Sequence, residues 1–170
     1  MRLFDRLFSS TPDPRRAVRP LWRSVVAEAR DPAWYRDGGV ADTLEGRFDM
    51  VTLVLALVML RMERSAALAP HTAPLTEIFV EEMDGQLRQS GVGDLMVGKQ
   101  IGRLMSTLGG RVGALRAALA TPDGALDDVI RRNVTLLESA DVEVTADRLH
   151  ALSVRLDATG DAALLAGEIT

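Results

Sequence analysis

Apolar residues recur at helical spacing on both sides of a glycine-rich turn in the middle of the chain. In the first arm, steps of one, three and four separate Leu75, Ile78, Phe79, Met83 and Leu87. The turn itself reads Gly91-Val92-Gly93-Asp94, in which glycine tolerates positive φ and aspartate suits a helix N-cap. A second stripe follows, formed by Val97, Ile101, Leu104, Met105 and Leu108. The pattern predicts an antiparallel helical hairpin over residues 75–111, around which the other segments pack.

The polar positions of this hairpin carry charges of opposite sign on its two arms. The acids are Glu77, Glu81, Glu82 and Asp84, and the bases are Arg88, Lys99, Arg103 and Arg111. A divided surface of this kind can orient a partner by complementary potential. Asp84 and Arg88, four residues apart, can instead pair along their own helix. Beside these charges, Phe79, Met83 and Met96 predict a groove that accepts an apolar helix.

The pattern before the hairpin predicts three helical segments. A first helix covers Leu21 to Arg30, with Pro20 at or before its first turn. Asp31-Pro32 caps a short piece with Trp34 and Tyr35, for which packing is favoured over a partner anchor. Thr43 or Gly46 opens a central helix that reaches about Ser65. This helix is apolar nearly all round from Met50 to Leu60, so other helices should surround it. Its ten-residue apolar run is too short for a bilayer, which needs about 20 residues.

The pattern after the hairpin predicts two further helices. Gly109-Gly110 either breaks the hairpin's second helix or serves close packing. Leu126, Val129, Ile130, Val134 and Leu137 specify the next helix. A last helix begins at Thr145 as N-cap and ends at Gly160. The fold class is therefore all-α, a single compact bundle of about six or seven helices. The domain covers residues 20–160, between a flexible basic N-terminal segment at 1–19 and a C-terminal tail at 161–170.

Composition restricts the function classes. The chain has 170 residues, 47% of them hydrophobic, and no cysteine, which excludes disulfides and thiolate metal sites. Its net charge is −4, with a +4 excess in residues 1–36 and −6 in residues 121–170. A dedicated DNA or RNA binder is therefore not expected. No signal peptide is visible at the start, so a cytoplasmic location is expected.

Candidate chemistry is sparse. His71 lies between two prolines in a predicted linker and His150 on a late helix, and neither has companions at metal-ligand spacing. The acids of the first hairpin arm are more typical of a solvated face than of a cation site. No serine or threonine lies in a nucleophile motif, and the glycines match neither a phosphate loop nor a dinucleotide fingerprint. We expect neither enzyme activity nor a cofactor or metal.

Four segments also resemble a known family. They are GRFDMVTLVLALVMLRME from Gly46, FVEEMDGQLRQSGVGDLMVGK from Phe79, GGRVGALRAAL from Gly109, and the D-x-x-L…RRN pattern from Asp123 to Asn133. In this order they resemble the ubiquinol-cytochrome c chaperone family, in its bacterial branch. The positions that match the family pattern are Phe79, Asp84, Leu87, Arg88, Gly91, Gly93, Asp94, Lys99, Gly110, Arg111, Asp123, Arg132 and Asn133. Leu115 and Val129-Ile130 depart from it.

The resemblance implies a non-catalytic assembly factor for respiratory complex III, which binds newly synthesised or newly inserted cytochrome b. It also implies possible partners at the ribosomal tunnel exit and a second assembly factor. The matching positions other than Gly110, together with Met83, Met96 and Arg103, are the expected partner-binding residues.

Two other function classes stay open. One is a membrane-surface adaptor, in which the apolar rings and arginines of residues 1–19 make a weak interfacial contact; a frayed terminus explains the same residues. The other is a helical protein with a small ligand inside the bundle. The first predicts salt-sensitive liposome binding, and the second predicts a bound molecule in the purified protein.

Overall fold

A computed structural model describes residues 13–89, 94–121 and 125–169, apart from the side chains of residues 87 and 94–97. In these ranges the chain forms eight α-helices and one 3-10 turn, at Ala69–His71. The helices are α1 (Arg15–Ala29), α2 (Pro32–Arg36), α3 (Leu44–Glu63), α4 (Thr72–Gln89), α5 (Asp94–Leu119), α6 (Ala125–Asn133), α7 (Val142–Ala158) and α8 (Asp161–Ala166). The predicted all-α fold is confirmed, and six of the helices have nine or more residues.

Helix α3 is the centre of the bundle, as its apolar run predicts. Thr43 is its N-cap, and the hydroxyl accepts a hydrogen bond from the backbone N–H of Gly46 at 3.2 Å. Nearly every side chain from Met50 to Leu60 is buried, because α1, α4, α5 and α7 pack around it. No helix in the described ranges combines the length and hydropathy needed to cross a bilayer.

Helix α1 begins earlier than the sequence pattern predicts. It starts at Arg15, so Pro20 lies inside the helix and not at its first turn. Two interactions extend the helix across the proline: the carboxylate of Asp13 accepts the N–H of Arg15 at 3.0 Å, and Val18 is fully buried. Residues 15–19 therefore belong to the bundle, whereas the first twelve residues of the predicted flexible segment lie outside the described part.

The short helix α2 follows the Asp31-Pro32 signal, with the Asp31 carboxylate accepting the N–H of Ala33 at 2.8 Å. Trp34 is 1% exposed, and its ring N–H donates to the carbonyl of Glu28 at 2.9 Å. The Tyr35 hydroxyl donates to the carbonyl of Ala29 at 2.8 Å. Both aromatic side chains thus pack α2 against the end of α1.

The predicted linker between α3 and α4 is shorter than expected. Pro70 lies in the 3-10 turn with His71, but Pro74 is in the first turn of α4, where a missing N–H costs no intrahelical bond. Helix α5 continues through Gly109 and Gly110 without a break. A helix break is thus excluded, and close packing does not explain the pair either, since a Cβ at Gly109 or Gly110 would have no neighbour within 4 Å in the described structure.

Two helix boundaries after the hairpin differ from those that the spacing of apolar residues predicts. Helix α6 ends at Asn133, and the chain then runs antiparallel to residues 39–41, with an isolated bridge between Val40 and Leu136. Leu137 is consequently 51% exposed instead of lying in a helix core. Helix α7 begins at Val142 with Asp141 as N-cap, so Thr145 lies inside it, buried, with its hydroxyl donating to the carbonyl of Gly38 at 2.6 Å.

Residues 161–166 form α8, not part of a free tail. Leu164 is fully buried, and α8 packs on α1. At its end Gly167 has φ of 81°, which favours glycine, and its carbonyl accepts the Ser24 hydroxyl at 2.6 Å. A Cβ at Gly167 would lie 2.7 Å from the Pro20 carbonyl oxygen, so the close approach of α8 to α1 requires this glycine.

The start of α8 is tied to the end of α3 through Asp161. Hydrogen bonds from the Ser65 hydroxyl and from Arg61, the latter at 2.7 Å, lower the pKa of the Asp161 carboxyl. Because the folded-state pKa is depressed, the stabilisation is present above the unfolded value near 4 and is lost as pH falls through the folded value.

We expect Asp161→Asn to be less stable than the wild type at neutral pH, with a difference that shrinks as the pH falls below about 4. Urea unfolding of both proteins across this pH range measures the difference. Asp147→Asn is the matched control, since Asp147 is exposed on α7 and makes no ion pair within the described ranges. If the stability difference between Asp161→Asn and the wild type did not change with pH, the stabilising role of the charged Asp161 carboxylate would be contradicted.

Candidate functional site

The hairpin predicted from the sequence is present as α4 and α5, but its two halves have different environments. Near the start of α4, Leu75, Ile78 and Phe79 are at most 1% exposed. The Phe79 ring meets the edge of Trp22 on α1, with centroids 6.2 Å apart and planes at 63°. This burial argues against the prediction that Phe79 is a partner-binding residue, because its side chain does not reach the surface.

The distal half of the hairpin extends beyond the core. From Gly98 to Thr107 on α5, no residue is buried. Ile101 and Leu104 are half-buried, and Met105 is 37% exposed. Apolar side chains of a helix normally face a core, so this stretch leaves an incompletely covered apolar stripe.

An apolar groove lies at the base of this stripe. We call it the hairpin groove; its volume is about 440 Å³, and it is lined by Leu44, Glu45, Phe48 and Asp49 of α3, Met83 and Gln86 of α4, Leu104 of α5, and Thr135. Leu44 is 68% exposed on its rim. Met83, which the sequence assigned to a groove of this kind, is only 6% exposed and forms its floor. An apolar floor with a polar rim is typical of a groove that accepts an amphipathic helix.

A buried ion pair fixes the α3 side of the groove. Arg111 of α5 has a side chain 5% exposed, and it donates to Asp49 Oδ1 at 2.5 Å and to the Asp49 carbonyl at 3.0 Å. It also donates to the Thr52 hydroxyl and, at 2.6 Å, to the carbonyl of Asn133. The other Asp49 oxygen accepts the N–H and hydroxyl of Thr135 at 2.9 and 2.8 Å.

This ion-pair network joins α3, α5, the end of α6 and the segment after it. Its geometry makes Arg111 an internal connector, which argues against the prediction that Arg111 binds a partner. Asn133 is also internally engaged, because its side-chain amide donates to the Val129 carbonyl at 2.8 Å.

The charges of the hairpin are partly used within the protein. Asp84 and Arg88 pair at 2.8 Å along α4, as the alternative explanation of their spacing predicts. Glu81 pairs with Arg15 of α1 at 3.4 Å, so part of the acidic face is directed at α1. Lys99 and Arg103 are exposed on α5 and have no ion pair within the described ranges. Each arm therefore keeps two exposed charges without an ion pair in the described ranges, Glu77 and Glu82 on α4 and Lys99 and Arg103 on α5.

The other predicted partner residues are distributed as follows. Arg132 is exposed and pairs with Asp128 at 3.3 Å on α6. Gly91, Gly93 and Asp123 lie outside the described residues, as do the side chains of Leu87, Asp94 and Met96.

The α3 wall of the groove was not predicted from the sequence. The available signal was Leu44, an apolar residue at the first position of α3, between the Thr43 N-cap and Glu45. Phe48 and Thr135 gave no such signal, because they meet the hairpin only through the tertiary fold.

No group of three histidine, aspartate or glutamate side chains in the described ranges is arranged to hold a metal ion. The site is an apolar groove between α3, α4 and α5. Lys99 and Arg103 lie on α5 between the hairpin turn and Leu104. Such an arrangement can bind another polypeptide. The fold and site thus define a small all-α protein with a peptide-sized surface groove.

Comparison with known proteins gives the family. The model of the ubiquinol-cytochrome C chaperone family matches residues 36–170. The structure is similar to the crystal structure of the Cbp3 homolog from Brucella abortus, with a TM-score of 0.80 and 31% sequence identity over 99% of this chain and 93% of that chain. No curated protein is significantly similar. The chain belongs to the ubiquinol-cytochrome C chaperone family, which confirms the resemblance noted from its sequence.

Proposed function

We propose that this chain is an assembly factor for ubiquinol-cytochrome c reductase, respiratory complex III, and that it acts by binding newly synthesised cytochrome b. The family match over residues 36–170 is the observation that carries the proposal. The similarity to a Cbp3 homolog over nearly the whole of both chains supports it.

The hairpin groove is the proposed binding surface. Leu44, Phe48 and Leu104 offer apolar contact to one face of a helical segment of cytochrome b. The cations Lys99 and Arg103 lie beside it on α5 and would orient the segment by its charges. Binding is stoichiometric and needs no ATP; haem or partner subunits release the client by competing for the same surface of cytochrome b.

The proposed place of work is the cytoplasm, at the cytoplasmic face of the inner membrane, where cytochrome b is inserted. The proposal includes two further partners, the ribosomal tunnel exit and a second assembly factor. It also includes a weak contact of residues 1–19 with the membrane surface. In bacteria that lack this gene, cytochrome b levels and complex III activity are expected to fall.

The groove is tested by Leu44→Glu. We expect this substitution to lower capture of cytochrome b about tenfold or more, because a charge replaces a large apolar contact on the rim of the groove. Folding should be retained, since Leu44 is 68% exposed and a negative charge suits the first turn of α3. Capture is measured by co-purification and by photocrosslinking from position 44 in cells that synthesise cytochrome b.

Val154→Glu is the matched control, because Val154 is also an exposed apolar residue, at 54%, but lies on α7 away from the groove. Its capture of cytochrome b should equal that of the wild type. Equal capture by both variants, or crosslinks from position 44 only to unrelated proteins, would reject the groove as the client site.

A further inference from the structure

Helix α1 carries a row of unpaired arginines on its outer side. Arg16, Arg19, Arg23 and Arg30 are separated by three, four and seven residues, which places them on one side of the helix. At about 1.5 Å per residue the row is about 21 Å long. Arg36 of α2 continues it. None of these five side chains makes an ion pair within the described ranges, and all are exposed. We call them the arginine stripe.

The stripe ends at a basic surface pocket. Arg30 and Arg36 line this pocket with Arg47, Pro32, Tyr35 and Asp42, and its volume is about 500 Å³. Asp42 is the one acid among these lining residues, and a hydrogen bond from Arg47 at 2.6 Å lowers the pKa of the Asp42 carboxyl. The charge of Asp42 is thus matched by Arg47, and Arg30 and Arg36 leave the pocket with a net positive charge.

This surface contrasts with the rest of the molecule. The chain has a net charge of −4, and several exposed arginines on other helices face acids, although Arg103 does not: Arg64 pairs with Asp157, and Arg116 pairs with Glu63 at 2.6 Å. Along the stripe, two acids are engaged away from these arginines, since Glu28 pairs with Arg155 at 3.0 Å and Asp31 pairs with Arg148 at 3.6 Å. A row of exposed cations that form no ion pair within the described ranges is electrostatically unfavourable in the isolated protein, so it points to an external anionic surface.

We propose that the arginine stripe docks the protein on an anionic phospholipid surface. The headgroup phosphates would neutralise the stripe, and the pocket at its end would receive one phosphate. Because the opposite side of α1 is buried through Val18, Leu21 and Val25, the helix lies on the headgroups and does not enter the bilayer. The exposed Leu44 lies one turn from Arg47 on α3, so the contact brings the hairpin groove close to the membrane.

RNA is the other extended polyanion, and the side chains favour lipid. Binding to single-stranded RNA usually combines cations with exposed aromatic rings that stack on bases. Within the described residues no exposed ring accompanies the stripe: Trp22 and Trp34 are buried, and Tyr35 is half-buried with its hydroxyl bonded to the carbonyl of Ala29. The biological purpose of this lipid contact rests on the proposed function in complex III assembly. The vesicle-binding experiment itself can be done without cytochrome b.

The test uses the full chain and unilamellar vesicles of phosphatidylcholine, with or without phosphatidylglycerol. We expect sedimentation with the anionic vesicles only, weakening as salt is raised. The variant R16Q/R19Q/R23Q keeps residues 1–12 and should bind about a hundredfold more weakly, at about fivefold per arginine at low salt. Inorganic phosphate added to the vesicle assay separates a lone phosphate site from a lipid surface. If millimolar phosphate released the protein from the vesicles, the pocket alone would account for binding, and the lipid assignment would be rejected.

The control variant R116Q/R131Q/R132Q removes the same charge from exposed, ion-paired positions on α5 and α6. It should bind vesicles like the wild type, and equal weakening of both variants would mean that net charge, not the stripe, governs binding. Absence of vesicle binding by the wild type, or stripe-dependent binding to a single-stranded RNA in its place, would also overturn the inference.

Capture of cytochrome b in detergent separates this inference from the proposed function. The stripe variant should still capture the client. Loss of vesicle binding by the wild type with intact capture rejects only the lipid contact, and intact vesicle binding without capture rejects only the proposed client.

Discussion

Replacing Arg111 by alanine is expected to lower the free energy of unfolding by about 3–5 kcal/mol. The substitution removes a buried guanidinium that reaches Asp49, Thr52 and the carbonyl of Asn133. The Asp49 carboxylate, 14% exposed, is then left without its cation. A domain of this size is stabilised by about 5–15 kcal/mol in total, so the variant should be close to unfolding. Urea unfolding monitored by circular dichroism measures the change.

Arg116→Ala is the control, since Arg116 lies on the same helix and pairs with Glu63 at an exposed position. It should cost at most about 1 kcal/mol. The double variant of Arg111→Ala and Asp49→Ala should lose less stability than the sum of the two single variants, because each single change leaves an unpaired charge. If Arg111→Ala kept wild-type stability and lost only client binding, the original sequence-based assignment to a partner surface would be restored.

The Arg111 network shows why the sequence indicated the hairpin but not its chemistry. In the sequence, Arg111 follows two glycines at the end of an amphipathic stripe, a position that local periodicity assigns equally well to solvent or to a partner. Its acceptors on Asp49 and Thr52 come about sixty residues earlier in the chain. Helical periodicity describes one helix at a time, whereas a buried ion pair depends on how two helices are placed against each other.

Local signals predicted the helices well where the chain forms its own caps. Thr43 and Asp31-Pro32 start α3 and α2 because their side chains bond the first free N–H groups, an interaction complete within four residues. The signals failed where a distant contact decides the boundary. Thr145 resembles an N-cap, but its hydroxyl bonds the carbonyl of Gly38 in the opposite loop. Leu137 fits the stripe of α6, but the chain turns to pair with residues 39–41.

The groove illustrates the same limit for function. Its floor, Met83, belongs to the predicted hairpin, and the second hairpin arm contributes Leu104. The other wall comes from the start of α3 and from Thr135, which the Asp49 carboxylate holds in place. No sequence pattern joins residues 44, 83, 104 and 135, so the position of the groove became visible only with the packing of the helices.

Phe79→Ala is the second substitution with a large expected effect, a loss of about 3–5 kcal/mol in the free energy of unfolding. The Phe79 side chain is fully buried and packs edge-to-face on Trp22, so its removal leaves a cavity between α1 and α4. Met105→Ala, at a position 37% exposed on α5, is the control and should cost less than about 1 kcal/mol. Both changes are measured by urea unfolding.

Phe79→Leu keeps the measurement informative if Phe79→Ala does not fold, because it retains most of the buried volume while losing the aromatic contact. Under conditions where this variant is folded, we expect it to capture cytochrome b like the wild type, since the side chain at position 79 is fully buried. Reduced capture at unchanged stability would instead mean that the start of α4 opens to bind its partner. The environments of the two hairpin halves argue against such opening: the Phe79 end is sealed by α1, and the exposed apolar stripe lies at the other end, beside the groove.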